Sequence, residues 1–146
     1  MSGQAMVFDY APFLIEAGKI KEFAKALQLE NPIYRDEETA KSAGYRGIPV
    51  PPTFMTVIDF WNDHNFYQLF ADFLKLNPNH VLHGEQAYDY YKVMVAGDTI
   101  SAQVRVKEQF HKKGKNFFLL ETIYRNQGNE ITAVGRATII EIAEVD

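Results

Sequence analysis

The chain has no cysteine among its 146 residues. Disulfides, thiolate nucleophiles and cysteine-based metal sites are therefore excluded, and a reducing compartment is compatible with the composition. Positive charge does not predominate: the net charge is -4, which argues weakly against a basic face for nucleic acid. The one basic cluster, His111 to Lys115, reads as a hairpin turn built around Gly114. No apolar run approaches the roughly 20 residues needed to span a bilayer. The opening residues MSGQAMVFDY lack the basic and apolar regions of a signal peptide, so a cytoplasmic location is expected. The histidines show no metal-ligand spacing, and there is no nucleophile elbow, phosphate loop or dinucleotide fingerprint, so no metal or cofactor is expected.

What is present reads as a single domain over residues 1–146, helical early and strand-rich later. Tyr10 to Ile15 suits a short strand. Ile20, Phe23, Ala24 and Leu27 fall on one helical face, predicting a helix over Gly18 to Gln28 that Pro32 stops. Asp36 suits the N-cap of a short helix ending near Gly44. The segment GIPVPP must be extended, because residues before proline avoid the α region. Pro52 then suits the start of a long apolar helix carrying Phe54, Val57, Ile58 and Trp61, and later Phe66, Leu69, Phe70, Phe73 and Leu74, with a break near Asn62 to Asn65. From Val81 the period becomes two, in four long strands linked by turns at AGD, HKKGK and NQGN. The expected class is α+β: a strongly curved antiparallel meander with one apolar helix on its concave face. Exposed edges and a thin core make dimerisation expected.

Several stretches carry a family resemblance: KIKEFAKAL, ENPIYRDEETAKSAGYRGIPVPPTF, HGEQAYDYYKVMVAGDTISAQVRV and ITAVGRATI. In combination they resemble the MaoC-like hot-dog-fold hydratases and dehydratases, and within them the N-terminal-type, FAS1-like dehydratase domains. The resemblance covers nearly the whole chain. It implies reversible dehydration of an (R)-3-hydroxyacyl thioester, carried on coenzyme A or acyl carrier protein. It also implies an acyl tunnel beside the central helix and sites at subunit interfaces.

Such chemistry needs a base for the α-proton, an acid for the leaving hydroxyl and donors for the enolate oxygen. Catalytic members resemble GDxNPLH, with an Asp two residues before the Asn and a His two after the Pro. Anchored on Asn31-Pro32, the Gly position is Gln28, the Asp position is Leu29 and the His position is Tyr34. Leucine exchanges no protons, and a tyrosine with an ordinary pKa near ~10 is a poor base at neutral pH. Weak substitutes are Glu30, beside the Asp position, and His83 with Glu85, which alternation would set on one strand face. Expected substrate contacts are Tyr34, the helix-entry residues Pro52, Thr53 and Phe54 with their backbone N–H groups, and His83 with Gly84. Phe54, Trp61, Phe66, Phe70 and Phe73 could line a tunnel or pack the core. His64 reads as solvent-facing at the helix break, and His80 and His111 as turn neighbours.

The leading expectation is a partner subunit that pairs with a catalytic MaoC-like chain and supplies tunnel and dimer interface. The alternatives are a self-sufficient homodimeric hydratase, dehydratase or thioesterase using His83, Glu85 or Tyr34, and a non-enzymatic acyl-CoA-binding protein.

Overall fold

A computed structural model describes residues 6–62 and 66–143. The expected elements form, with adjusted ends. Strand β1 (Val7–Asp9) precedes the predicted Tyr10–Ile15 stretch and β2 (Phe13–Leu14) lies within it; the two pair with different parts of one later strand. Helix α1 (Ala17–Ala26) buries Ile20 and Ala24. It stops at Gln28, whose φ of 58° turns the chain left-handed while Leu29 N–H returns to Ala24 O at 2.9 Å. A 3-10 turn (Pro32–Tyr34) follows, entered by Asn31, whose side chain accepts from Ile33 N–H at 3.1 Å. Helix α2 (Glu37–Ser42) is capped by Asp36, which accepts from Thr39 N–H at 3.1 Å and from the Thr39 hydroxyl.

Gly47 to Pro51 is extended, as its prolines require, and hydrogen-bonds to the Val93–Ala96 segment through Val50 N–H to Met94 O and Ala96 N–H to Ile48 O. Helix α3 (Met55–Trp61) then crosses the sheet and buries Met55, Val57, Ile58 and Asp59. Its periodic face is narrower than the sequence spacing predicts, because Trp61 is exposed and lies over the Lys19 ammonium at 4.3 Å. The helix ends there, since Asn62 is extended; His64 falls outside the described residues. Helix α4 (Phe66–Gln68) continues into a π-helical turn, Leu69–Phe73, where Leu74 N–H reaches Leu69 O at 2.8 Å.

The four long strands are β3 (Val81–Tyr90), β4 (Thr99–Lys112), β5 (Lys115–Arg125) and β6 (Ile131–Ile142). Hairpins join β4 to β5 and β5 to β6, the first closed by Lys113 and Gly114 at positive φ. The expected simple meander needs one correction. The order is β1-β4-β5-β6-β3, so β3 pairs with β6 and lies at an edge, away from its sequence neighbour β4. The Tyr91–Asp98 link accordingly makes a crossover that includes the bridge to Pro49 instead of a hairpin. Ile100, Ala102 and Val104 of β4, Phe118, Leu120 and Tyr124 of β5, and Ala133 and Ile139 of β6 share one buried cluster with Met55, Val57 and Ile58 of α3. Each fully buried large side chain contributes about 1.5–3 kcal/mol, so this helix–sheet seam holds most of the fold together. The result is the hot-dog arrangement that the resemblance implies.

Candidate functional site

A pocket of about 340 Å3 opens where the extended Pro49–Pro52 segment, the start of α3 and the end of β3 meet. Its walls include Tyr34 and Tyr45 from the early helical region, Met55 from α3, Tyr90 to Met94 after β3, and Thr132 with Ala133 from β6. The prolines fix the near wall, since Ile48, Val50 and Pro51, each standing before a proline, are kept out of the α region. The far wall is pinned twice. Tyr90 Oη donates to Pro52 O at 2.6 Å, and Tyr91 and Lys92 N–H both donate to Thr132 O, at 2.9 and 3.1 Å. The Asp98 carboxylate locks the turn beneath. It accepts from Val95 N–H at 3.0 Å, Arg46 Nη2 at 2.9 Å and Gln127 Nε2 at 3.1 Å. Burial alone would raise the Asp98 carboxyl, but these donors together hold it below its ordinary range.

The lining is mostly apolar. The neighbouring cations Arg46 and Lys92 are paired with Asp98 and Glu130, so the rim is not a basic patch. Of the residues expected from the sequence, Tyr34 and Pro52 line this pocket. Burial raises the Tyr34 hydroxyl above its usual value, and the neighbouring Tyr45 adds to this, so it is a still weaker base than an exposed tyrosine. Leu29 is half-buried and carries no titratable group. Glu30 is exposed, with its carbonyl accepting from Arg35 Nη1 at 3.1 Å. Thr53 is exposed at the helix entry, where its carbonyl accepts from Thr56 N–H. The Phe54 N–H is engaged by Pro51 O at 3.0 Å. Its ring is a core group, edge-on to Phe23 at 5.6 Å. Phe70 is also core, Phe73 is half-buried, and the Phe66 side chain lies outside what is described.

His83 and Glu85 do not share a face. A β-bulge lies between them: His83 pairs with Ile139 and Glu85 with Thr138, neighbours that point to opposite sides of the sheet. The extra residue, Gly84, breaks the alternation on which the expectation rested. His83 instead meets Gln86, Nε2 to Oε1 at 3.0 Å, several residues along β3 from the pocket-lining Tyr90. Among the described residues no three histidine or acidic side chains gather as a metal requires.

The residue that sequence reasoning missed is Asp59. It is buried against the sheet on α3, where Tyr124 Oη donates to it at 2.6 Å. Burial pushes its carboxyl up to about 7, although the Tyr124 hydrogen bond opposes the rise. Tyr10 and Tyr88 face the same point. Burial raises both hydroxyls, and the Asp59 charge adds to each. Gly135 lets the rings converge: a Cβ there would stand 3.2 Å from Tyr88 Cε1 and 3.5 Å from Tyr124 Cε2. The available signal was a lone acid inside the apolar run MTVIDFW.

Residues 3–134 match the family described as FAS1-like, dehydratase domain region. A UPF0336 protein of Leifsonia xyli subsp. xyli is 31% identical over 130 residues, covering 88% of this chain and 85% of that one. The C-terminally truncated HadBC (3R-hydroxyacyl-ACP dehydratase) complex from Mycobacterium tuberculosis has a chain that superimposes with a TM-score of 0.79 at 22% identity, covering 96% of this chain and 98% of that chain. The ChsH1-ChsH2 complex from the same organism gives a TM-score of 0.74 at 18% identity, over 94% and 90%. At those identities the two structures establish the fold. Together with the match over residues 3–134, they show that the chain belongs to the FAS1-like dehydratase domain family, within the MaoC-like hot-dog hydratases and dehydratases.

Proposed function

We propose that this chain is an accessory subunit of an (R)-3-hydroxyacyl-thioester dehydratase or hydratase. It pairs with a second hot-dog chain that carries the Asp-His dyad, and it contributes acyl-binding surface and the subunit interface. One observation carries the reading: the two dyad positions hold Leu29, which has no proton to exchange, and Tyr34, whose hydroxyl is raised by burial. The pocket walls nevertheless remain, with Tyr34, Pro52, Met55 and Tyr90 around an apolar slot that suits an acyl chain.

The sheet edge supports a pairing role. Tyr91 N–H bonds inward to Thr132, so by antiparallel alternation Gln86, Tyr88 and Tyr90 turn their backbone groups toward the open edge. That edge is long and unprotected by proline, and such edges invite another strand. Exposed Leu82 and Tyr90 on β3, and Tyr91 and Val93 in the link that follows it, add apolar area along this strand. Two of the structural neighbours are described as complexes. The carrier on the thioester is either coenzyme A or acyl carrier protein. No helix among the described residues is long and apolar enough to cross a membrane.

The test is hydration of crotonyl-CoA by the purified chain, alone and after co-expression with a MaoC-like chain bearing the intact GDxNPxH pattern. The reading expects no turnover alone and turnover with the partner. Strong activity from the isolated chain rejects it.

A further inference from the structure

The pocket's inner walls lead toward the Asp59 cluster. Met55, Tyr90 and Ala133 all line the pocket. One helical turn beyond Met55 stands Asp59, a step of about 6 Å. Two residues back along β3 from Tyr90 stands Tyr88, and two residues on from Ala133 stands Gly135, each a step of about 6.6 Å. Tyr90 pairs with Ala133 and Tyr88 with Gly135, so the two strands advance in register. Three lining residues therefore stand one step along their elements from residues of the cluster.

At that point the polar groups are incompletely answered. Tyr124 is bonded to Asp59, yet Tyr10 Oη and Tyr88 Oη are buried with no hydrogen-bond partner among the described residues. Asn62 Oδ1, one turn further along α3, is in the same condition. Interiors pair nearly all such atoms, so unpaired hydroxyls grouped together mark a place for an ordered water or a ligand oxygen. The absence of a side chain at Gly135 keeps the Tyr88 and Tyr124 rings converging on this point.

We propose that the cluster of Asp59, Tyr124, Tyr10 and Tyr88 is the closed end of the pocket. It receives a neutral oxygen function, a hydroxyl or carbonyl, at the far end of a bound acyl chain. This rests on the acyl-thioester reading of the pocket and adds a substrate class to it. Tyr10 and Tyr88 supply donors, and Asp59 supplies an acceptor or, when protonated, a donor. A terminal carboxylate is disfavoured, because a second acid beside Asp59 resists ionisation. A plain hydrocarbon end leaves the tyrosines unpaired, and sites built to bond a hydroxyl discriminate strongly against ligands lacking it.

The experiment is calorimetric titration of the full chain with butyryl-, hexanoyl- and octanoyl-CoA and with their ω-hydroxy counterparts. At the chain length that reaches the cluster, the ω-hydroxy compound is expected to bind at least about tenfold more tightly than its hydrocarbon match. A Tyr10→Phe, Tyr88→Phe double variant is expected to bring that ratio close to one. Its melting temperature should not fall, since only unpaired hydroxyls are removed. Equal binding of each matched pair at every length means the cluster holds only water, and overturns the inference while leaving the acyl-thioester reading intact. A preference that survives in the double variant also overturns it. Failure of every thioester to bind removes the acyl-thioester reading, and this inference with it.

Discussion

Asp59 gives the folded chain a pH dependence that an exposed aspartate does not. In the unfolded chain its carboxyl titrates near ~3.9; in the fold it titrates near 7, raised chiefly by burial. Between those values the folded chain keeps a proton that the unfolded chain has lost. Stability therefore falls as pH rises through that window and levels off above it. The full effect is on the order of 4 kcal/mol, at about 1.4 kcal/mol for each tenfold change in proton affinity. Asp36, Asp89, Asp98 and Glu130 act oppositely: each is held below its ordinary value by its hydrogen-bond donors, for Asp98 against the pull of burial. Their stabilisation is present above the unfolded pKa and is lost as acid protonates them. The two trends meet near pH 4–5 on ordinary carboxylate values. Urea unfolding at pH 5, 6, 7 and 8 is expected to show a declining free energy for the native chain and a flatter profile for Asp59→Asn. A native profile with no decline contradicts the assignment. Nothing in composition signalled this behaviour. The sequence shows an acid at a core position, but its carboxyl is raised by the burial that the fold imposes, beside Tyr10, Tyr88 and Tyr124 from three distant parts of the chain.

Among the elements, those with local causes were legible in advance. The α2 cap needed only Asp36, the α1 face only its apolar spacing, and the extended entry to α3 only its prolines. The errors lie where an element depends on its neighbours. The Gly84 bulge was invisible to alternation counting, and it reverses the face of the β3 residues that follow it relative to His83. The placement of β3 against β6 likewise depends on the Tyr91–Asp98 crossover, which reads as a turn because AGD has turn composition. That crossover is held by Asp98. Asp98→Ala abandons the Arg46, Val95 and Gln127 donors and is expected to cost on the order of 3 kcal/mol in chemical denaturation. A loss within experimental error of zero contradicts its role as the anchor of the pocket's far wall.

At the scale of the whole molecule, the open β3 edge and the proposed need for a partner's Asp-His dyad point the same way. On the proposed reading, a chain that keeps a pocket but holds Leu29 and Tyr34 at the dyad positions has use for a neighbour, and β3 offers that neighbour a row of outward backbone groups. Gln86→Pro removes an outward N–H and spares the ladder to β6, so it is expected to abolish assembly while the monomer still folds. Light scattering after size exclusion, with circular dichroism as the check on folding, reads both. An unchanged assembly mass in the variant contradicts pairing through this edge.

The most direct measurement of the central claim remains the hydration rate of crotonyl-CoA by the isolated chain against the rate with a dyad-bearing partner. With Leu29 and Tyr34 in the dyad positions, the account predicts a rate at the buffer background alone and a rate well above it in the complex. Turnover by the isolated chain at the level of the complex contradicts the account.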